Sequence, residues 1–115
     1  MSDIKKLTEQ VVSFRDARDW KQFHNPKDSS ISLLLEAAEV LEHFQWKSKE
    51  EMDSYIVSNK ADIAEELADV LYWILLLSKD MEIDLVDAFD KKLVKNAKKY
   101  PVEKAKGKHT KYNAL

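Results

Sequence analysis

The sequence contains no cysteine. That excludes a disulfide framework, a thiolate zinc site and a cysteine nucleophile. Glycine and proline are nearly missing too, with one glycine and two prolines in 115 residues. Sheet proteins need many tight turns, and those turns draw on glycine, asparagine and proline. A chain with so few of them and many good helix formers is expected to be all-α. Long hydrophobic runs are lacking as well. The longest, Leu71 to Leu77, is too short to span a bilayer, and no charged, apolar and small-residue leader is legible at the start. No membrane partner is expected, and a cytoplasmic location is the simplest reading. Nor does one sign of charge dominate: the net charge is -2, with 35% of residues charged. This lack of a basic footprint argues against a nucleic acid polymer as the main partner. What the chain does have is 44% hydrophobic residues, enough for the small core of a single domain.

Periodicity and capping residues divide the chain into four main helices and a shorter one. Ile4, Leu7, Val11 and Phe14 form an apolar stripe on a first helix running from Ser2 or Asp3 to about Arg18. The segment Asp19 to Asp28 follows, broken by His24-Asn25-Pro26 and rich in aromatics for a connector. A second helix is expected to start at Asp28 to Ser30 and to reach about Trp46. Ser48-Lys49-Glu50-Glu51 has the form of a capping box, opening a weakly apolar short helix or ordered connector to about Ser58. Asn59 or Lys60 opens a long helix ending near Asp80, and Asp84 caps a last helix ending at Tyr100-Pro101. Residues 1–101 are taken as one domain and residues 102–115 as a loosely held, Lys-rich tail. The long helix is apolar nearly all round at Leu71 to Leu77. A surface helix of a monomer shows one apolar stripe, so part of this run is expected to lie against another copy of the chain. The plainer alternative is a central helix covered by its own chain.

Two of these helices carry paired acids. Glu36 and Glu39 lie among Leu35, Ala37, Ala38 and Val40; Glu66 and Asp69 lie among Leu67, Ala68 and Val70. Residues three apart share a helix face, so each pair points one way. Asp62, four residues before Glu66, lies on the same side. Like charges at this spacing repel by roughly a few tenths of a kcal/mol when exposed, and by more beside a core. A hard divalent cation relieves that repulsion, and magnesium takes oxygen ligands of this kind. Each pair alone is common on solvated helices; the two together, flanked by apolar residues, are more specific. A ferritin-like di-iron centre needs Glu-x-x-His on two helices. That motif is missing, since His43 follows Glu39 by four residues. Zinc is disfavoured by the same lack of nitrogen and sulfur ligands.

Glu36-x-x-Glu39, a gap of 26 residues and Glu66-x-x-Asp69 resemble the metal signature of the MazG-like nucleotide pyrophosphohydrolases. Asp19-Trp20-Lys21-Gln22-Phe23-His24, Phe44-Gln45-Trp46, Glu65 to Val70, and Asn96 with Tyr100-Pro101 resemble that family's dCTP pyrophosphatase branch. The resemblance covers roughly residues 4 to 101. It implies a four-helix bundle core that is an obligate oligomer, a homotetramer built as a dimer of dimers. It also implies magnesium, with manganese as a substitute, on Glu36, Glu39, Glu66 and Asp69. The implied reaction cuts a nucleoside triphosphate between its α and β phosphates, a house-cleaning activity on the nucleotide pool. By the same resemblance Trp20, Lys21, Gln22, Phe23, His24 and Trp46 contact the nucleotide.

Chemistry fills in the rest. Glu36 or Glu39 can orient or deprotonate an attacking water. Lys92, Lys95, Asn96 and Lys99 recur at helical spacing and can hold the β and γ phosphates, although a lysine face is also simply what water solvates. Trp20, Trp46 and Trp73 are base-stacking candidates, with core packing as the alternative for Trp73. Position 73 is Trp where dCTP-preferring members of the family carry Tyr, which bears on base choice because indole is only a donor. The competing reading of the whole chain is a non-enzymatic helical oligomerisation or regulatory module whose acids merely solvate its helices.

Overall fold

The computed structural model describes residues 2–115. Among them there is no strand. Six α-helices run in order: α1 (Asp3–Asp16), α2 (Pro26–Glu42), α3 (Lys49–Ser58), α4 (Lys60–Asp80), α5 (Leu85–Lys99) and α6 (Val102–Ala105). Short 3₁₀ turns occupy Lys21–Phe23 and Tyr112–Ala114. Among the described residues no helix is long and apolar enough to cross a membrane.

Local chemistry explains most boundaries. Ser2 caps α1 by accepting from Lys5 N–H, and Asp84 caps α5 by accepting from Asp87 N–H. Ser48 and Glu51 form the expected capping box, so the weakly apolar segment is a full ten-residue helix. Two boundaries of α2 differ from expectation. It begins at Pro26 because Asn25 is the cap, its side chain accepting from Asp28 N–H, with proline at the first helical position. There the missing N–H costs nothing and the fixed φ suits the helix. It ends at Glu42 rather than Trp46, because Phe44 N–H turns back to Leu41 C=O and Lys47 N–H to Phe44 C=O. The C-terminal stretch expected to be loose contains α6 and a 3₁₀ turn.

The chain forms two compact units, residues 1–82 and 83–115. In the first, α4 is the central helix and packs against α2, α1 and α3. Leu75 and Leu76 are its most deeply buried apolar side chains. Leu75 and Leu76 of the Leu71–Leu77 run are buried and its other residues half-buried, so its own chain covers much of this surface. A more exposed apolar ladder lies on α2, at Ile31, Leu34, Leu35 and Leu41, with Leu67 exposed on α4. The second unit contains α5, whose Phe89, Leu93 and Val94 are exposed. Three non-glycine residues adopt left-handed backbone, Asp19 (φ 54°), Trp46 (φ 68°) and Glu82 (φ 57°).

Candidate active site

The packing of α2 on α4 brings the two acidic pairs together. One carboxylate oxygen from each of Glu36, Glu39, Glu66 and Asp69 lies within 4.8 Å of the others. Glu36 and Glu66 are partly covered, while Asp69 is exposed. Asp62, a turn earlier on α4, is exposed and outside this group. One oxygen of Glu36, Oε2, is buried with no hydrogen-bond partner. An orphaned carboxylate oxygen inside a ring of acids is costly unless something cationic meets it. The donor set is all oxygen, which suits a hard divalent cation rather than zinc.

The crowding shows in the acidities. Glu66 is raised to about 7, first by a hydrogen bond shared with Glu39, then by burial and by the charges of Glu39, Asp69 and Glu36. Glu36 is raised as well, first by burial and then by its hydrogen bond with Glu39. Glu66 therefore binds a proton in the folded protein at pH values where the unfolded chain has released it. The stability this proton contributes is full below the ordinary glutamate value and is lost as pH rises through about 7. Melting of the metal-free protein is expected to fall as pH goes from 5 to 8, and Glu66→Gln to blunt that fall. A divalent cation should raise the melting temperature more at pH 8 than at pH 5, because it competes with the proton. Fluorimetric melting curves across that range measure both effects; equal cation shifts at the two ends would contradict them.

Beside the acids lies a cavity of about 540 Å³, lined by Gln10, Val11, Phe14, Trp20, His24, Asp69, Tyr72 and Trp73. Asp69 belongs to both, and Trp73 follows it by one helical turn. The cavity's aromatic walls touch edge to face: Phe14 with Trp20 at 5.9 Å, Phe14 with Tyr72 at 6.2 Å, Tyr72 with Trp73 at 5.2 Å and His24 with Trp73 at 5.1 Å. Such rings offer flat apolar faces beside a cluster of hard oxygen ligands.

Of the residues singled out from the sequence, Trp20, His24 and Trp73 line this cavity. Lys21, Gln22 and Phe23 are exposed on the 3₁₀ turn and are not among its lining. Trp46 is 92% exposed on the turn after α2 and also lies outside it. Lys92, Lys95, Asn96 and Lys99 are all on α5, where Asn96 is half-buried and Lys99 Nζ sits 4.7 Å over the Tyr112 ring. Sequence reasoning missed Gln10 and Tyr72 as cavity residues, and read Val11 and Phe14 only as core. It also missed Arg15, whose place four residues after Val11 in the apolar stripe of α1 is the signal that a buried cation needs an acid nearby.

An all-α protein with an acidic cradle beside an aromatic cavity is equipped to handle an anionic ligand with a flat ring through a divalent cation. Comparison with known proteins agrees. Residues 31–115 match the family model of the MazG-like family. The chain is 35% identical to mouse dCTP pyrophosphatase 1 and 33% identical to the human one, over its whole length and 67% of theirs. It is also similar to the crystal structure of a pyrophosphatase from Archaeoglobus fulgidus, with a TM-score of 0.82 and 37% identity over 88% of this chain and 94% of that one. The chain belongs to the MazG-like family of nucleotide pyrophosphohydrolases, near the dCTP pyrophosphatase branch. It is thus an enzyme, a nucleoside triphosphate pyrophosphatase, and the reading as a non-enzymatic module is set aside.

Proposed function

We propose that this enzyme uses Mg²⁺, with Mn²⁺ as a substitute, to cut a deoxynucleoside triphosphate and water into the monophosphate and pyrophosphate. The substrate is dCTP or a related or modified deoxynucleotide, and the purpose is clearing the nucleotide pool. The observation that carries this is the convergence of four carboxylates within 4.8 Å of one another, with one of them, Asp69, also lining the aromatic cavity.

Glu36, Glu39, Glu66 and Asp69 hold the cation. When bound, magnesium reverses the local sign of charge, polarises the α-phosphate and makes water a better nucleophile. Glu36 or Glu39 orients that water and takes its proton. Trp20 and Trp73 hold the base in the cavity, where aromatic stacking contributes roughly 1–3 kcal/mol per ring, and His24 hydrogen-bonds its edge. Lys92 and Asn96 bind the β and γ phosphates. Lys21, Gln22, Phe23 and Trp46 complete the nucleotide contacts; the Trp46 ring, 92% exposed, offers an open stacking surface.

Residues 1–101 form the catalytic domain and residues 102–115 its tail, in a cytoplasmic homotetramer with four-helix cores. The exposed ladder on α2 supports the assembly, since monomers rarely leave contiguous apolar patches uncovered. The test is to incubate the protein with each of the four deoxynucleoside triphosphates and Mg²⁺, then identify the products. dCMP and pyrophosphate are expected, and a chelator should stop the reaction. Diphosphate with free phosphate would mean a different bond is cut, and turnover of dATP or dGTP ahead of dCTP would sink the base assignment.

A further inference from the structure

Arg15 is the most deeply buried charged residue of the described chain, 1% exposed. Its guanidinium meets Asp80 in a two-pronged bond, Nη1 to Oδ2 at 2.7 Å and Nη2 to Oδ1 at 2.9 Å. The same Nη1 lies 3.4 Å from His24 Nδ1. A guanidinium has only hydrogens to give, so Nδ1 of His24 must be the acceptor, and the ring's hydrogen sits on Nε2. The backbone of Arg15 holds the same loop, because its C=O accepts from Trp20 N–H. His24 is braced on its other side by the edge-to-face contact with Trp73.

We propose that the Arg15–Asp80 pair is a positioning device for base selection, holding His24 neutral with Nε2–H as a hydrogen-bond donor into the cavity. A donor at that place reads an acceptor on the base, such as the O2 or N3 edge of a pyrimidine. This rests on His24 facing the base, as proposed above. The acidities agree in direction: His24 is held below its ordinary value, first by burial and then by the Arg15 charge. Asp80 does two things here. It keeps Arg15 from being an orphaned buried cation, and its two oxygens set the guanidinium plane that presents Nη1 to the ring.

The experiment has two arms. The first is nitrogen-15 NMR of the three histidine rings, with His24→Gln to assign the signal, on protein without nucleotide. The wild type should show a neutral ring with hydrogen on Nε2 alone. The second compares wild type with the double variant Arg15→Met/Asp80→Leu, which removes both charges and so leaves neither unpaired in a fold that melting can verify. Its His24 should titrate higher and show hydrogen on either nitrogen. Its KM for the preferred nucleotide should rise about fivefold, the worth of one hydrogen bond, with kcat held within about twofold. A folded double variant with unchanged ring signals and KM would make the pair purely structural. If no nucleotide is turned over, the substrate reading fails, yet the NMR arm still decides whether Arg15 sets the ring; hydrogen on Nδ1 in the wild type overturns it outright.

Discussion

Glu39→Gln is expected to abolish turnover while leaving the fold intact or firmer. Even residues that only support a metal ligand cost about 10–100-fold when lost, so a direct ligand should cost more than about 100-fold. The variant keeps the side chain's length and polarity and removes one charge from a crowded group of four. Glu66 owes its raised pKa first to its hydrogen bond with Glu39, so the change should also bring Glu66 back toward ordinary glutamate behaviour. Two independent readouts therefore move together: activity disappears, and the loss of metal-free stability between pH 5 and 8 flattens. Steady-state rates with a saturating triphosphate, alongside melting curves without cation, measure both. A variant with full activity would remove Glu39 from the site.

The second large effect is on stability. Arg15→Met should lower it by about 3 kcal/mol, because breaking a buried ion pair from one side strands the other charge. For a domain of this size that amounts to a melting temperature lower by roughly 10 °C. The side chains of Arg15 and Asp80 are 2% and 20% exposed, far from the 81% and 64% of the Lys49–Asp53 pair, which should contribute almost nothing. Asp80 is held below the usual carboxylate range, first by its hydrogen bond from Arg15. Its contribution is therefore present above the ordinary aspartate value and lost as pH falls, opposite in sign to that of Glu66. Denaturant titrations of the single and double variants form the check. A single variant within about 1 kcal/mol of wild type would mean that water already screens the pair.

Sequence pattern alone exposed much of this. The acids of α2 and α4 were legible because spacing by three puts them on one face, and the starts of α3 and α5 carry their own capping chemistry at Ser48 and Asp84. The start of α2 is hard to place from sequence because Asp28, Ser29 and Ser30 are all good caps, although proline after asparagine also begins helices. What stayed hidden was long-range. Arg15 and Asp80 stand 65 residues apart, and nothing local to α1 names the acid that will meet its buried cation. Tyr72 and Gln10 join the cavity only because α1 packs on α4. The Leu71–Leu77 run leaves its cover open for the same reason: a periodicity shows which faces are apolar, not what covers them.

The scarcity of glycine leaves its mark on the turns. Asp19, Trp46 and Glu82 hold backbone angles in which glycine is at ease and other residues are strained, at a cost of roughly 1–2 kcal/mol each. At Glu82 that strain is headroom for thermal hardening, since a glycine would relax the peptide and remove little else, whereas at Asp19 it would also remove the carboxylate that accepts from Gln22 Nε2 at 3.0 Å. At Trp46 the same exchange would discard a bare indole, so robustness and utility pull in opposite directions at one residue.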